Sequence, residues 1–145
     1  MSNILTLLKE KKKDPVILAT NVSIKKAVNI FKTKKVRVAI ISDDNVHIDG
    51  VLTERDLILG LDKYGSKLLE HTVEEVMTKN VVTCDVDAPL SGLMAQMYDL
   101  NIRNIPVVND TGILGIITMR DLIGVRLKQV QSDADAMRNY ISSAG

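Results

Sequence analysis

Nine residues from Gly50, GVLTERDLI, return as GIITMRDLI from Gly115, with Gly, Thr, Arg, Asp, Leu and Ile identical at matching places. A repeat of this kind constrains the fold more than any local propensity, because it implies one structural unit used twice. Longer copies surround it. The first reads VILATNVSIKKAVNIFKTKKVRVAIISDDNVHIDGVLTERDLI and the second VVTCDVDAPLSGLMAQMYDLNIRNIPVVNDTGILGIITMRDLI.

Each copy opens on a short apolar stretch, Val16 to Ala19 and Val81 to Cys84, which predicts a strand. Ile24, Ala27, Val28 and Phe31 follow in one copy, and Leu90, Leu93, Met94 and Met97 in the other. Steps of three and four give each of these segments one helical face to bury. Buried strands are expected at Val36 to Ile41 and Ile105 to Val108, then turns SDDNVHIDG and NDTG, the first about two residues longer. Short strands ending in Thr53 and Thr118 run into a closing helix. The expected fold is α/β, two β-α-β-β-α units with flanking N- and C-terminal helices. The corresponding divisions are 1–13, 14–65, 66–80, 81–124 and 125–145.

Three segments lie outside the repeat. Asn3 to Lys12 reads as a helix with Ile4, Leu5 and Leu8 on one side. In the linker, Thr72 is placed to cap a short turn through Glu75. The tail carries Val130, Ala134, Met137 and Ile141 along one face, which calls for a partner surface: the N-terminal helix or a second chain. At 145 residues the chain can bury roughly two-thirds of its unfolded surface. With 46% hydrophobic and 26% charged residues and a net charge of +1, it offers no electrostatic case for nucleic acid or an anionic membrane. No apolar run reaches bilayer-spanning length. The lone Cys84 cannot close an internal disulfide, and MSNILTLLKEKKKDP puts its charges after its apolar residues, so a cytoplasmic location is expected.

Thr53 and Asp56, and again Thr118 and Asp121, match a capping box: the hydroxyl serves one backbone N–H of the first helical turn and the carboxylate another. The same parts suit a nucleotide. Free N–H groups at a helix start hold phosphate, and the two oxygens of a carboxylate hold a ribose diol. Gly50 and Gly115, three residues ahead, leave the strand backbone open to close approach. Capping and binding do not exclude each other, and local chemistry leaves both open.

The paired units, each ending in Gly-h-h-Thr-x-x-Asp (h apolar), with RNIPVVND ahead of the second, resemble a tandem of CBS (cystathionine β-synthase) domains, or Bateman module, over about residues 14–124. The flanking helices resemble those of small bacterial proteins built from such a pair alone. The resemblance implies two units about a pseudo-two-fold axis, two clefts between them, and a homodimer formed through the pairs. It implies adenosine ligands: AMP, ADP, ATP, S-adenosylmethionine or NAD. Asp56 and Asp121 would then hold ribose, and Thr53 and Thr118 would reach ribose or phosphate oxygens. Adenine would lie near Ile17, Ala19, Val38 and Ala39 in copy one, and near Val82, Cys84, Ile105 and Pro106 in copy two. Arg37, Arg55, Arg103 and Arg120 would take phosphates. One departure stands out, with Ala39 read opposite the family's Pro, here Pro106, so that the adenine pockets differ.

Other chemistry is thin. Cys84 reads as a small buried hydrophobe, His47 and His71 as surface residues without metal spacing, and Lys9 to Asp14 as a solvated face. Asp43 to Asp49 lacks the twelve-residue calcium pattern, and no nucleophile–base pair or phosphate loop is present, so neither metal nor catalysis is expected. The expected function is a regulatory sensor of adenosine ligands that signals to an effector protein. The alternatives are a ligand-free dimerisation or docking scaffold and, more weakly, RNA contact through Lys9 to Lys13.

Overall fold

Pairing of apolar strands sets both halves of the chain, and the computed structural model describes them over residues 3–144. Residues 1, 2 and 145 of the expected terminal segments lie outside that range. Helix α1 (Ile4–Lys11) starts at Asn3, whose side chain accepts from the Thr6 N–H at 2.8 Å, and stops at Lys12 in the left-handed region. In copy one, β1 (Ile17–Leu18) runs parallel to β2 (Val38–Ile41), and β2 runs antiparallel to β3 (Gly50–Thr53). The crossover is α2 (Ile24–Lys34), capped by Ser23 and buried through Ile24, Ala27 and Phe31. Then come α3 (Glu54–Tyr64), a 3-10 turn over Gly65–Glu70, and α4 (Val73–Val76), where Thr72 and Glu75 form the expected capping box.

Copy two repeats the order. Strand β4 (Cys84–Asp85) lies parallel to β5 (Asn104–Asn109), which pairs antiparallel with β6 (Gly112–Thr118), and α5 (Leu93–Asp99) makes the crossover. Helix α6 (Met119–Ala144) closes the chain. The two three-stranded sheets and their helices are the mixed α/β pair that the repeat implies. Among the described residues, no helix is long and apolar enough to cross a membrane.

Four details differ from expectation. The opening strand of copy two falls at Cys84–Asp85 rather than Val81 to Cys84, because Val82, Cys84, Val86 and Ala88 alternate onto the second core. Leu18 and Cys84 are therefore equivalent, each facing the matching residue of the next strand, Ile41 or Val107. The counterpart of Pro106 is Ile40 and not Ala39: Pro106 pairs with Ile116, and Ile40 with Val51 one repeat earlier. Helix α5 begins at Leu93 rather than Leu90, since Gly92 enters it in the left-handed region at φ 83°. The hairpin loops also differ by six residues, eight against two, rather than by about two. Copy two turns through Asp110 and Thr111 alone, whereas Ser42 to Asp49 bridge the hairpin of copy one.

The cores show how the units interlock. The first gathers Leu18, Ile24, Phe31, Ala39 and Leu52 with Leu68 and Val73 of the linker. The second gathers Leu93, Met97, Ile105 and Ile117 with Ile4 and Leu7 of α1. Each segment that leads into one unit therefore completes the core of the other. A third cluster, Val38, Ile40 and Ile116 flanked by Ile17, Val51 and Ile113, draws on both sheets and joins them. Burial on this scale is the main cohesive force, at roughly 25 cal/mol per Å² of apolar surface.

The long first hairpin acts as a clasp between units. The Asn45 carbonyl accepts from the Ile113 N–H, and a Cβ on Gly112 (φ 134°) would meet that carbonyl at 2.9 Å. Asp44 organises the clasp: Oδ1 accepts from the N–H groups of Val46 and His47, and Oδ2 lies 2.6 Å from His47 Nδ1. Hydrogen bonding to His47 holds the Asp44 carboxyl well below the usual carboxylate range, and the same contact raises the imidazole. The raised imidazole stabilises the loop below its unfolded value of about 6.5 and loses that contribution as pH rises through the folded value. The depressed carboxyl contributes above its ordinary value of about 3.9 and fades as pH falls towards the folded one, so the clasp is tightest between about pH 4 and 6.5. An NMR titration is expected to place the His47 midpoint above the ordinary imidazole value, with Asp44→Asn lowering it. A midpoint indifferent to Asp44→Asn would sink this pairing.

Candidate functional site

Both signatures fold as strand-to-helix joints with a carboxylate at the helix start. In copy one, Asp56 Oδ2 accepts from the Thr53 N–H at 2.9 Å and the Thr53 hydroxyl at 3.1 Å, while the Asp56 N–H donates to Thr53 Oγ1. The other oxygen, Oδ1, accepts from the Thr78 hydroxyl at 2.8 Å. Asp56 is 8% exposed, and every bond it makes is to a neutral donor. Thr78 is held there by a two-bond backbone bridge to Val51, and the neighbouring Met77 lies over Gly50.

Copy two uses the same joint with a different lock. Asp121 Oδ2 accepts from the Thr118 N–H at 2.8 Å and pairs with Lys11 Nζ at 2.8 Å. The same ammonium donates to the Ile116 carbonyl at 2.7 Å. Ile116 is the counterpart of Val51, so a lysine side chain takes the place that the Thr78 backbone holds in copy one. Leu8 covers Gly115 as Met77 covers Gly50. The capping half of the reading is thus fully formed in both copies, and the outer face of each carboxylate is held by the segment leading into the other unit.

The remaining predicted residues divide between the two faces of the sheets. Val38 and Ile17 lie on the inter-sheet cluster, and Pro106 is fully buried. Ala39 belongs to the first unit's own core, and Ile105, Val82 and Cys84 to the second's, so these four are turned away from the face where the sheets meet. Burial raises the Cys84 thiol, as befits a packing residue. Ala19 is exposed just beyond the end of β1. Arg37, Arg55, Arg103 and Arg120 are all exposed. The carbonyls of Arg37 and Arg103 accept the first helical N–H of α3 and α6, which sets these two beside their signatures, and Arg55 and Arg120 stand in the first turns.

Sequence reasoning missed Lys11, Thr78, Leu8 and Met77. The contacts are long-range, and the only available signal was that each segment precedes a repeat. Within the run read as a solvated face, Lys11 turns inward. His71, read as a surface residue, has its side chain 25% exposed, stacks on Tyr64 at 3.8 Å and lies 2.6 Å from Glu75, whose carboxyl it lowers. Asp56, Gly60, Tyr64 and Glu75 edge a groove of about 150 Å³ between α3 and α4, smaller than the roughly 300–1,000 Å³ of most small-molecule sites.

The doubled joint, the paired sheets and the shared inter-sheet core define a tandem-repeat module of the Bateman type. The CBS-domain family model matches residues 9–63 and 73–128, and the chain belongs to that family, with two CBS domains in tandem. It is 31% identical over 124 residues to the L-aspartate semialdehyde sulfurtransferase of Methanocaldococcus jannaschii, covering 84% of this chain but only 23% of that protein. A CBS-domain containing protein from Agrobacterium tumefaciens superposes with a TM-score of 0.79 at 30% identity, covering 86% of this chain and 99% of the other. The CBS domain pair of protein MJ0100, solved with 5′-methylthioadenosine and S-adenosyl-L-methionine, superposes with a TM-score of 0.71 at 28% identity, over 81% of this chain and 92% of that one.

Proposed function

We propose that this CBS pair is a regulatory sensor that binds adenosine-containing ligands, drawn from AMP, ADP, ATP, NAD and S-adenosylmethionine, and transmits occupancy to a partner protein. The observation that carries the reading is the duplicated joint: a carboxylate beside a helix start, repeated at Asp56 and Asp121, in a chain whose 28%-identical relative holds two adenosine compounds. Asp56 and Asp121 accept the ribose hydroxyls, Thr53 and Thr118 assist, and the exposed arginines beside the joints are the groups placed to meet a phosphate where the ligand carries one. Because Thr78 and Lys11 already occupy those carboxylates, a ligand displaces them and with them the crossed segments that join the units. A ligand favouring one relative arrangement then shifts the population towards it. The carboxylates are acceptor-only groups holding hydroxyls, a regulatory rather than catalytic role.

Thermal shift tests this. A ligand at about a hundred times its dissociation constant adds roughly 2.7 kcal/mol of stability, which raises the Tm of a chain this size by about 5–10 °C. The 2′-deoxy form of the active ligand is expected to give a smaller shift, since it lacks half of the diol. A melting point unmoved by all five compounds would end the sensor reading.

A second reading, the docking or dimerisation scaffold, is favoured by α6. Leu127, Val130, Ala134, Met137 and Ile141 recur at alternating three- and four-residue steps, and four of them are more than half exposed. Asp133 and Arg138 flank that stripe five residues apart, the spacing at which charges meet across two parallel coiled helices, so its occupant is a second copy of this chain. The scaffold reading differs from the sensor in expecting no ligand response while Met137→Glu still dissolves the dimer in light scattering.

A further inference from the structure

The two joints share a sequence signature but not a charge. At copy one, Arg37 and Arg55 stand against Glu54 and Asp56, and Glu54 lies 3.9 Å from the Arg37 guanidinium. At copy two, Met119 replaces Glu54, so Arg103 and Arg120 flank Asp121 alone, and Lys11 adds a third cation. Among the described residues, neither Arg103 nor Arg120 makes an ion pair. Asp85 and Asp110 of copy two sit where β4 and β5 finish, at the opposite end of the sheet from Thr118, while Asp99 ends α5 ahead of Arg103. Counting only the signature arginines, the first-turn acids and the group held on each carboxylate, copy one is balanced and copy two has two more positive charges than negative.

We infer that the two sites sort ligands by charge: the copy-two site takes the phosphorylated, anionic adenosine ligand, and the copy-one site takes one without net negative charge, a nucleoside, thioether or sulfonium. The inference rests on the sensor reading above. Lys11 is the residue that makes the difference. In the free protein its ammonium holds Asp121 and the Ile116 carbonyl. When a ribose diol takes over the carboxylate, the released ammonium stays at the site with a phosphate to meet, and exchanges one anionic partner for another. At copy one the displaced group is the Thr78 hydroxyl, which brings no charge, and Glu54 opposes any phosphate near Arg37.

Calorimetry on the full chain, with AMP and adenosine as probes, decides the matter. AMP is expected to bind at one site, with affinity falling at least tenfold in Lys11→Met and Asp121→Ala, and unchanged within twofold in Asp56→Ala. Adenosine binding is expected to fall in Asp56→Ala and to ignore Lys11→Met. Lys11→Arg keeps the charge and should restore AMP affinity, which separates the electrostatic role from a fold defect. Glu54→Gln, at a side chain 60% exposed, frees Arg37 without disturbing a core and should open the second site to AMP. Equal AMP binding at both sites of the unaltered chain, or AMP affinity within twofold in Lys11→Met, overturns the sorting while leaving the sensor standing. Binding of neither probe overturns the sorting, and the sensor falls with it only if ADP, ATP, NAD and S-adenosylmethionine also leave the melting point unmoved.

Discussion

Asp56→Ala is expected to destabilise the protein by about 2–4 kcal/mol, lowering Tm by on the order of 5–15 °C, whereas Asp121→Ala costs about 0.5–2 kcal/mol. Both substitutions remove a helix cap. The difference lies in what else each carboxylate holds. Asp56 is buried and serves the Thr53 N–H, the Thr53 hydroxyl and the Thr78 hydroxyl, so its loss orphans donors that water cannot easily reach. Asp121 has a side chain 20% exposed, and its second partner is an ammonium that retains the Ile116 carbonyl and can turn to solvent. Ligand affinity at each altered site should fall by roughly 3 kcal/mol, about a hundredfold. Differential scanning calorimetry reads the first effect and titration calorimetry the second. Equal melting points for the two variants would refute the asymmetry. Intact affinity in both would reduce the joints to caps.

Gly50→Ala and Gly115→Ala, at identical places in the repeat, are expected to part company. A Cβ on Gly50 falls 2.7 Å from the Thr78 carbonyl and 2.6 Å from Met77 Sδ. That carbonyl accepts from the Val51 N–H at 3.0 Å, so relieving the clash means breaking the bridge that ties the linker to β3. The cost is that of overpacking, about 1–3 kcal/mol, and here it falls at the upper end because the obstacle is backbone. Shortening Met77 to Ala in the same chain should recover little, since the carbonyl remains. A Cβ on Gly115 meets only the end of the Leu8 side chain, at 2.8 Å, which another rotamer relieves for less than about 1 kcal/mol. Urea denaturation of both variants measures the gap, and Gly115→Ala proving the more damaging of the two would contradict the packing described.

Legibility followed the range of the interactions involved. The capping boxes at Thr53 and Thr118, the helix from Asn3 and the Ile24, Ala27 and Phe31 face of α2, though not Val28, could be read because each depends on residues three or four apart. Register was harder. Reading Ala39 as the counterpart of Pro106 missed by one residue, which in a strand turns a side chain to the opposite face. Ile105 and Cys84, expected near adenine, pack into the core of their own unit. The two copies are offset by one residue between their first and last strands, and only the ladder pairing reveals where that offset falls.

By itself the sequence determined the duplication, the order of elements in each unit and the position of the paired Thr–Asp joints, since these are written in local spacing. Only the tertiary structure decided what stands against those joints. The linker that follows copy one folds back on it through Met77 and Thr78, while the helix that precedes copy one crosses to copy two and sets Lys11 on Asp121. Two segments that share little sequence are brought to equivalent places because each must cover an apolar face that the other unit leaves open. That crossing makes one carboxylate neutral-bonded and buried, and the other salt-bridged to a lysine more than a hundred residues away in the chain.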